Sequence, residues 1–258
     1  MGEKKRICLT VAYDGTAYCG FQVQKNGRTI EGELNRALEE LTGEEIRVTG
    51  ASRTDAGVHG LCNRAVFDTA SRIPGEKFSY ALNQRLPEDI RVQKSEEVAE
   101  DFHPRHCTSR KTYEYHIWNA AFSNPVKRLY THFTYVPLDV EKMRRAAAYL
   151  VGEHDFASFC SAGSQAETTV RTIYDLTVEK EGEEIVIRVT GSGFLYNMVR
   201  IIVGTLMEAG YGRMEPERMV KILGARERSA AGPTAPACGL ILTEISYGQP
   251  EDGEEDKT

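Results

Sequence analysis

The sequence has no run of about 18 or more apolar residues, the length a helix needs to cross a bilayer. Its most apolar stretch, Phe194 to Leu206, is interrupted by Asn197 and Arg200, so a transmembrane span is excluded. The opening MGEKKRICLT lacks both a long apolar segment and a small-residue cleavage site, and no signal peptide is expected. Arg6 stands where N-myristoylation would want Ser or Thr. The six cysteines (Cys8, Cys19, Cys62, Cys107, Cys160, Cys238) contain no C-x-x-C pair. They read as separate thiols in a reducing cytosol, and the expected location is cytoplasmic. An excess of positive charge is also missing. The formal net charge is −6, but the last nine residues, Pro250 to Thr258, hold five acids and one lysine, leaving about −2 for the rest. A nucleic-acid partner is not excluded, because RNA responds to local fields and not to net charge. Between His103 and Arg128, the basic residues Arg105, Arg110, Lys111, Lys127 and Arg128 face Glu114 alone. Such a cluster serves phosphates or is simply a solvated face.

With 258 residues, 41% of them hydrophobic, the chain can bury one large core or two joined smaller ones. Alternation predicts strands at Arg6–Tyr13, Glu45–Thr49, Asn63–Thr69, Ile90–Val98 and Thr108–Trp118. In the last of these, Tyr113, Tyr115 and Ile117 share one face. Arg171–Lys180 and Glu184–Thr190 read as a hairpin turning at Glu181-Gly182, and Gly239–Ser246 as a closing strand. Helical spacing marks Thr29–Leu41 with Thr29 as N-cap, a short helix at Phe78–Leu82, and Asp139–Val151 with Asp139 as N-cap. Leu195–Ala209 and Pro216–Leu223 complete the helices, the latter with Pro in its first turn. The fold class is therefore α+β with a mixed or mainly antiparallel sheet. We expect two related α+β halves, 1–105 and 106–248, with a cleft at their seam, and a disordered acidic tail at 249–258.

The densest unusual segment is GASRTDAGVHG, Gly50 to Gly60, which places Asp55 beside Arg53 in a glycine-rich loop between two strands. Standing alone, an Asp in such a loop usually caps a turn. The residues RTDAGVH resemble the catalytic signature of the TruA family of tRNA pseudouridine synthases. The resemblance continues through AYDGTAYCGFQVQ, TIEGEL, FHPRHCTSRKTYEYHIWN, GEHDFASFC, GSGFLYNMVRIIVGTL and GPTAPACGLIL, covering nearly the whole chain except the acidic tail.

The resemblance implies isomerisation of uridine to pseudouridine at positions 38, 39 and 40 in the anticodon stem-loop of tRNA. It also implies a homodimer without metal or organic cofactor and the pseudouridine-synthase fold, a central mixed sheet with an active-site cleft. Residue by residue, it implies that Asp55 is the catalytic carboxylate, Arg200 its basic partner, Tyr113 the active-site tyrosine, and Leu195 a wall of the uracil pocket. Arg53 would fill the space left by the flipped base. Arg105, Arg110 and Lys111 would meet phosphates. The chemistry breaks N1–C1′ and rejoins the base through C5, so neither electrons nor phosphoryl groups leave. It needs an ionised carboxylate, acting at C1′, at C6 or on the 2′ proton. Burial alone would neutralise that carboxylate, so a cation is required nearby.

Each residue also has a plainer reading. Arg200 in an apolar helix could snorkel from the core edge, Tyr113 could be core as Tyr115 could, and Arg53 could pair with a surface acid. His103, His106 and Cys107 lack a second cluster at ligand spacing, and Pro104 interrupts helical presentation, so no metal is expected. GPTAPACGL reads as a rigid loop supporting the cleft. Phe21, Ser192 and Asn197 stand where the family more often has Trp, Asn and His. The competing functions are an RNA-binding protein without catalysis, which would not need Asp55, Tyr113, Leu195 and Arg200 together, and a nucleoside hydrolase, which would want further carboxylates beside Asp55.

Overall fold

The structure is a computed structural model that describes residues 4–25, 27–105 and 107–248. The acidic tail and His106 lie outside the described residues.

Strand β1 (Lys5–Tyr13) alternates enough to bury Ile7, Leu9 and Val11 completely. Helix α1 (Ile30–Thr42) covers that face with Ile30, Leu34, Ala37 and Leu38. Its N-cap is Thr29, whose side chain accepts from the Gly32 amide, and it ends at Gly43 in the left-handed region. After the two-residue β2 (Thr49–Gly50), β3 (His59–Thr69) runs antiparallel to β1, as does β4 (Ile90–Val98) on its other side. Helix α2 (Phe78–Leu82) lies between β3 and β4 in the chain.

The second part starts with β5 (Ser109–Asn119) and the short β6 (His132–Thr134). Helix α3 (Val140–Ala148), β7 (Gly152–Asp155), the hairpin β8 (Val170–Glu181) and β9 (Glu184–Gly191) follow, and then α4 (Met198–Gly210), α5 (Arg218–Ala225) and β10 (Leu240–Tyr247). Among the described residues, all ten strands join one sheet in the order β4-β1-β3-β10-β5-β9-β8-β7, with β2 on β3 and β6 on β5. Most pairs are antiparallel. Strand β10 pairs antiparallel with β5 along its length and parallel with β3 only at Ile241–His59 and Leu242–Gly60. The α+β class and the mixed, largely antiparallel sheet expected from sequence are what is seen.

Two hydrophobic clusters fill the molecule. One draws on residues from Ile7 to Val92 and the other on Val58 and residues from Tyr113 to Leu242, and they lie on either side of the β3–β10 pair. Among the described residues, no helix is long and apolar enough to cross a membrane.

Several boundaries differ from expectation, each for a local reason. The strand expected at Glu45–Thr49 shrinks to Thr49–Gly50, because the Val48 amide donates to the Asn35 side chain of α1 and not to a ladder. Strand β3 begins at His59 and not at Asn63, because both β1 and β10 reach Gly60. Helix α3 stops at Ala148, short of the expected Val151. Pro216 precedes α5 instead of occupying its first turn. Helix α4 starts at Met198, three residues late, because Asn197 sits at φ 60° and breaks the helical path.

Candidate active site

A cleft of about 1060 Å³ opens where the loop 51–58 meets the start of α4 and the edge of β5. The loop is held on both sides of Asp55. Upstream, the fully buried Asn63 of β3 accepts from the Ser52 amide at 3.1 Å and donates to the Ser52 carbonyl at 2.9 Å. It also donates to the Tyr13 hydroxyl at 3.3 Å, and that hydroxyl lies 2.8 Å from Thr54 Oγ1. The Thr54 carbonyl accepts from the Phe21 amide at 3.0 Å. Downstream, the Gly57 amide donates to the Tyr18 carbonyl at 3.2 Å, and Gly57 takes φ 77°, a conformation glycine enters without steric cost. A loop fixed by so many buried partners presents Asp55 in one place. Asn63 and Tyr13 carry no local motif that would have shown this role in the sequence.

Arg200 lies in the first turn of α4 with Nη1 3.7 Å from Asp55 Oδ2, an ion-pair distance longer than a hydrogen bond. Both side chains are about one-fifth exposed. Burial raises the Asp55 pKa above the ordinary carboxylate range, and the Arg200 charge pulls it back only in part. The guanidinium is fixed from two further directions, by Nε to the Ala235 carbonyl at 2.7 Å and by Nη1 to Asn197 Oδ1 at 2.9 Å. Ala235 belongs to the loop GPTAPACGL. That loop can lie on α4 because Gly204 has no side chain: a Cβ there would sit 1.8 Å from the Pro233 carbonyl oxygen. The same loop offers the Pro236 carbonyl to the hydroxyl of the buried Tyr115 at 2.8 Å.

Tyr113 faces the cleft, edge-on to Phe194 at 5.3 Å. Its pKa is pushed up to about 12, mainly by burial, with the Asp55 charge adding to the rise and Ser52 opposing it. Leu195 also lines the cleft. Arg53 lines it too and donates to Gln165 Oε1 at 3.2 Å. Lys111 donates to the Ala51 carbonyl at 2.9 Å, and its pKa is lowered to about 8 by burial, then by Arg105 and Arg171. Arg105 lines the cleft as well.

The structure thus brings Asp55, Arg200, Tyr113, Leu195, Arg53, Arg105 and Lys111 to one cleft. It does not bring Arg110 there. That guanidinium stacks on the Tyr174 ring at 4.5 Å, and Tyr174 is the residue that reaches the lining. Lys127 and Arg128 also lie elsewhere: Lys127 pairs with Glu184, and Arg128 donates to the Pro125 carbonyl. Arg171, at the start of β8, is a cleft cation that the sequence reading missed, because nothing local to it differs from a strand edge. Among the described residues, five cations, Arg53, Arg105, Lys111, Arg171 and Arg200, therefore line the cleft with Asp55 as the one carboxylate. Among the described residues, no three His, Cys, Asp or Glu side chains gather in a way that could hold a metal.

The family model described as tRNA pseudouridine synthase matches residues 9–106 and 146–248. The chain belongs to the tRNA pseudouridine synthase family. It is 49% identical to tRNA pseudouridine synthase A of Acetivibrio thermocellus over 243 residues, covering 94% of this chain and 100% of that protein. With tRNA pseudouridine synthase A of Brevibacillus brevis it is again 49% identical over 243 residues, with the same coverage. A solved structure of an H/ACA RNP bound to a substrate RNA containing 2′-deoxyuridine is 13% identical with a TM-score of 0.33. That match covers 78% of this chain, which spans about half (52%) of the other, and at this score it adds nothing to the assignment. Within the tRNA pseudouridine synthase family match, Arg53 and Asp55 fall in the first segment and Leu195 and Arg200 in the second. Arg110, Lys111 and Tyr113 lie between the two segments; geometry ties Lys111 and Tyr113 to the site, and Arg110 only through Tyr174.

Proposed function

We propose that this tRNA pseudouridine synthase converts uridine to pseudouridine at positions 38, 39 and 40 of the anticodon stem-loop, with the Asp55 carboxylate as nucleophile on a flipped-out uridine. The observation that supports this most is a carboxylate 3.7 Å from Arg200 in a cleft whose other charged lining residues, among those described, are all cations. A polyanion is drawn to such a cleft, and the one negative group in it is where glycosidic chemistry can occur.

A stacked uridine cannot reach Asp55, so it must leave the helix, at a cost of roughly a few kcal/mol. Arg53, exposed at the cleft mouth, supplies a planar guanidinium that can stack in the vacated space. Tyr113 and Leu195 offer walls to the base. Asp55 attacks C1′ or C6. The N1–C1′ bond breaks with its electron pair going to the uracil, and the base turns. C5 then bonds to C1′ while the bond from Asp55 to C1′ (or, on the other route, to C6) breaks and frees the carboxylate, and the C5 proton leaves as N1 gains one. Tyr113 is placed to take part in that proton transfer, and its high pKa makes the neutral phenol its resting form. Arg105, Lys111 and Arg171 meet backbone phosphates, and Arg110 acts on the same wall through Tyr174. The two sides of the β3–β10 pair act as two halves, 1–105 and 106–248, that close the cleft between them. We further propose that the active species is a cytoplasmic homodimer needing neither metal nor organic cofactor.

The deciding experiment incubates purified protein with unmodified tRNA and maps pseudouridine. Conversion is expected at the three positions, and it should persist in EDTA. Asp55→Asn should bind tRNA with near-normal affinity and lose turnover; turnover retained by that variant would overturn the role of Asp55.

A further inference from the structure

Asn197 is one of only two non-glycine residues at positive φ among those described, with φ 60° and ψ 9°. Asn tolerates this region better than most side chains, yet the position still carries strain. It occupies the N-cap of α4, where an Asn side chain ordinarily accepts from the first-turn amides. Here it makes no such bond. Its Nδ2 donates instead to Ser161 Oγ at 3.0 Å, and its Oδ1 accepts from Arg200 Nη1 at 2.9 Å. The amide orientation is unambiguous, because a guanidinium can only donate. The backbone at this point bears strain and gives up a cap, and what it obtains is an acceptor beside Arg200.

The Nη1 that Asn197 engages is the same nitrogen that stands 3.7 Å from Asp55 Oδ2. A charge-assisted hydrogen bond between the two would be about 2.8 Å, so the guanidinium stops roughly 1 Å short. With Nε tied to the Ala235 carbonyl, its plane is fixed at both ends. We propose that Asn197 is a positioning residue: it holds Arg200 at ion-pair distance from Asp55, so that the carboxylate keeps the cation's attraction without losing an oxygen lone pair to it. The inference rests on Asp55 being the catalytic carboxylate.

The groups acting electrostatically on or with Asp55 are Arg200 of α4 and Tyr113 of β5, and Tyr113 is neutral across the working range. The acid limb of turnover therefore reports the balance between burial and Arg200, which Asn197 sets. Two substitutions should move it in opposite directions. Asn197→Gly keeps the left-handed backbone without strain and removes the acceptor, so Nη1 closes on Asp55. Turnover should fall roughly tenfold or more, as for loss of one positioned polar group, with the acid limb moved to lower pH. Asn197→Asp keeps an acceptor for Arg200 and adds a second negative charge, so the limb should move to higher pH.

The test measures kcat and KM for tRNA as a function of pH in the wild type and both variants, with thermal melting alongside. Opposite shifts of the limb with KM within about twofold support the proposal, since a merely structural residue would lower Tm without separating the two variants. A limb unmoved in both, or moved the same way in both, overturns it. If the glycine variant does not fold, Asn197→Ala, which also removes the acceptor, is measured in its place, a limb that fails to move to lower pH there overturning the proposal. Asp55→Asn, run in parallel, separates the two readings. Turnover in that variant removes the role of Asp55 itself; no turnover there, with an unmoved limb in the Asn197 variants, removes only the role of Asn197.

Discussion

At Asp55, burial and Arg200 act against each other, and burial prevails in part. The sign follows from linkage. A carboxyl whose folded-state pKa is raised binds its proton more tightly folded than unfolded, so its ionisation lowers stability as pH rises through that window. Asp55→Asn should therefore melt at or above the wild-type temperature at pH 7 while losing turnover, a pairing that calorimetry and a turnover assay can check together. Lys111 shifts the other way. With its pKa lowered to about 8, it is fully charged only below that value, so tRNA affinity should weaken as pH rises through 8. Lys111→Arg, which stays charged, should flatten that dependence in a binding titration. Arg53→Ala should impair conversion of a paired target far more than that of an unstructured oligonucleotide. An equal loss on both would remove its role in flipping.

The loop that carries Asp55 and the loop around Ala235 are precise because stiffer elements hold them. Asn63 of β3 satisfies both backbone groups of Ser52, so Asn63→Ala leaves a buried amide and carbonyl unpaired. The expected cost is about 2–4 kcal/mol, with turnover falling more than tRNA affinity; chemical denaturation and steady-state kinetics measure the two. Gly204 has a comparable part on α4. A methyl group there would meet the Pro233 carbonyl, a clash with backbone that cannot swing aside. Gly204→Ala should displace the Ala235 loop, cost about 1–3 kcal/mol and disturb Arg200 through its bond to the Ala235 carbonyl.

Across the molecule, net charge and binding surface separate. A chain of formal charge −6 presents, among its described residues, five cations and one carboxylate along the cleft that holds Asp55. Binding to tRNA should fall steeply with added salt, as phosphate neutralisation requires, even though the protein as a whole repels polyanions. Removing residues 249–258 takes away five acids and one lysine. It should strengthen tRNA association at low salt, which a filter-binding series would show. Strand β10 crosses between the two clusters to join β3 and β5, so both sides of the cleft depend on the last strand of the chain.

The sequence by itself determined the class of fold, most strands, both helix caps at Thr29 and Asp139, and the family to which the chain belongs. These follow from period, capping chemistry and an ordered set of motifs, all local properties of the chain. It also supplied Arg200 and Tyr113 as candidates, but left each with a plainer alternative. Only the tertiary structure placed Arg200 at 3.7 Å from Asp55, assigned Tyr115 to a loop carbonyl, turned Arg110 onto Tyr174 and added Arg171 to the cleft. It alone showed Asn63 bonded to Ser52, Gly204 against the Pro233 carbonyl and Asn197 bonded to Arg200. The physical reason is range: a cap or a strand is decided by neighbours a few residues away, whereas a charge is tuned by whatever the fold brings within a few ångströms, from any distance along the chain.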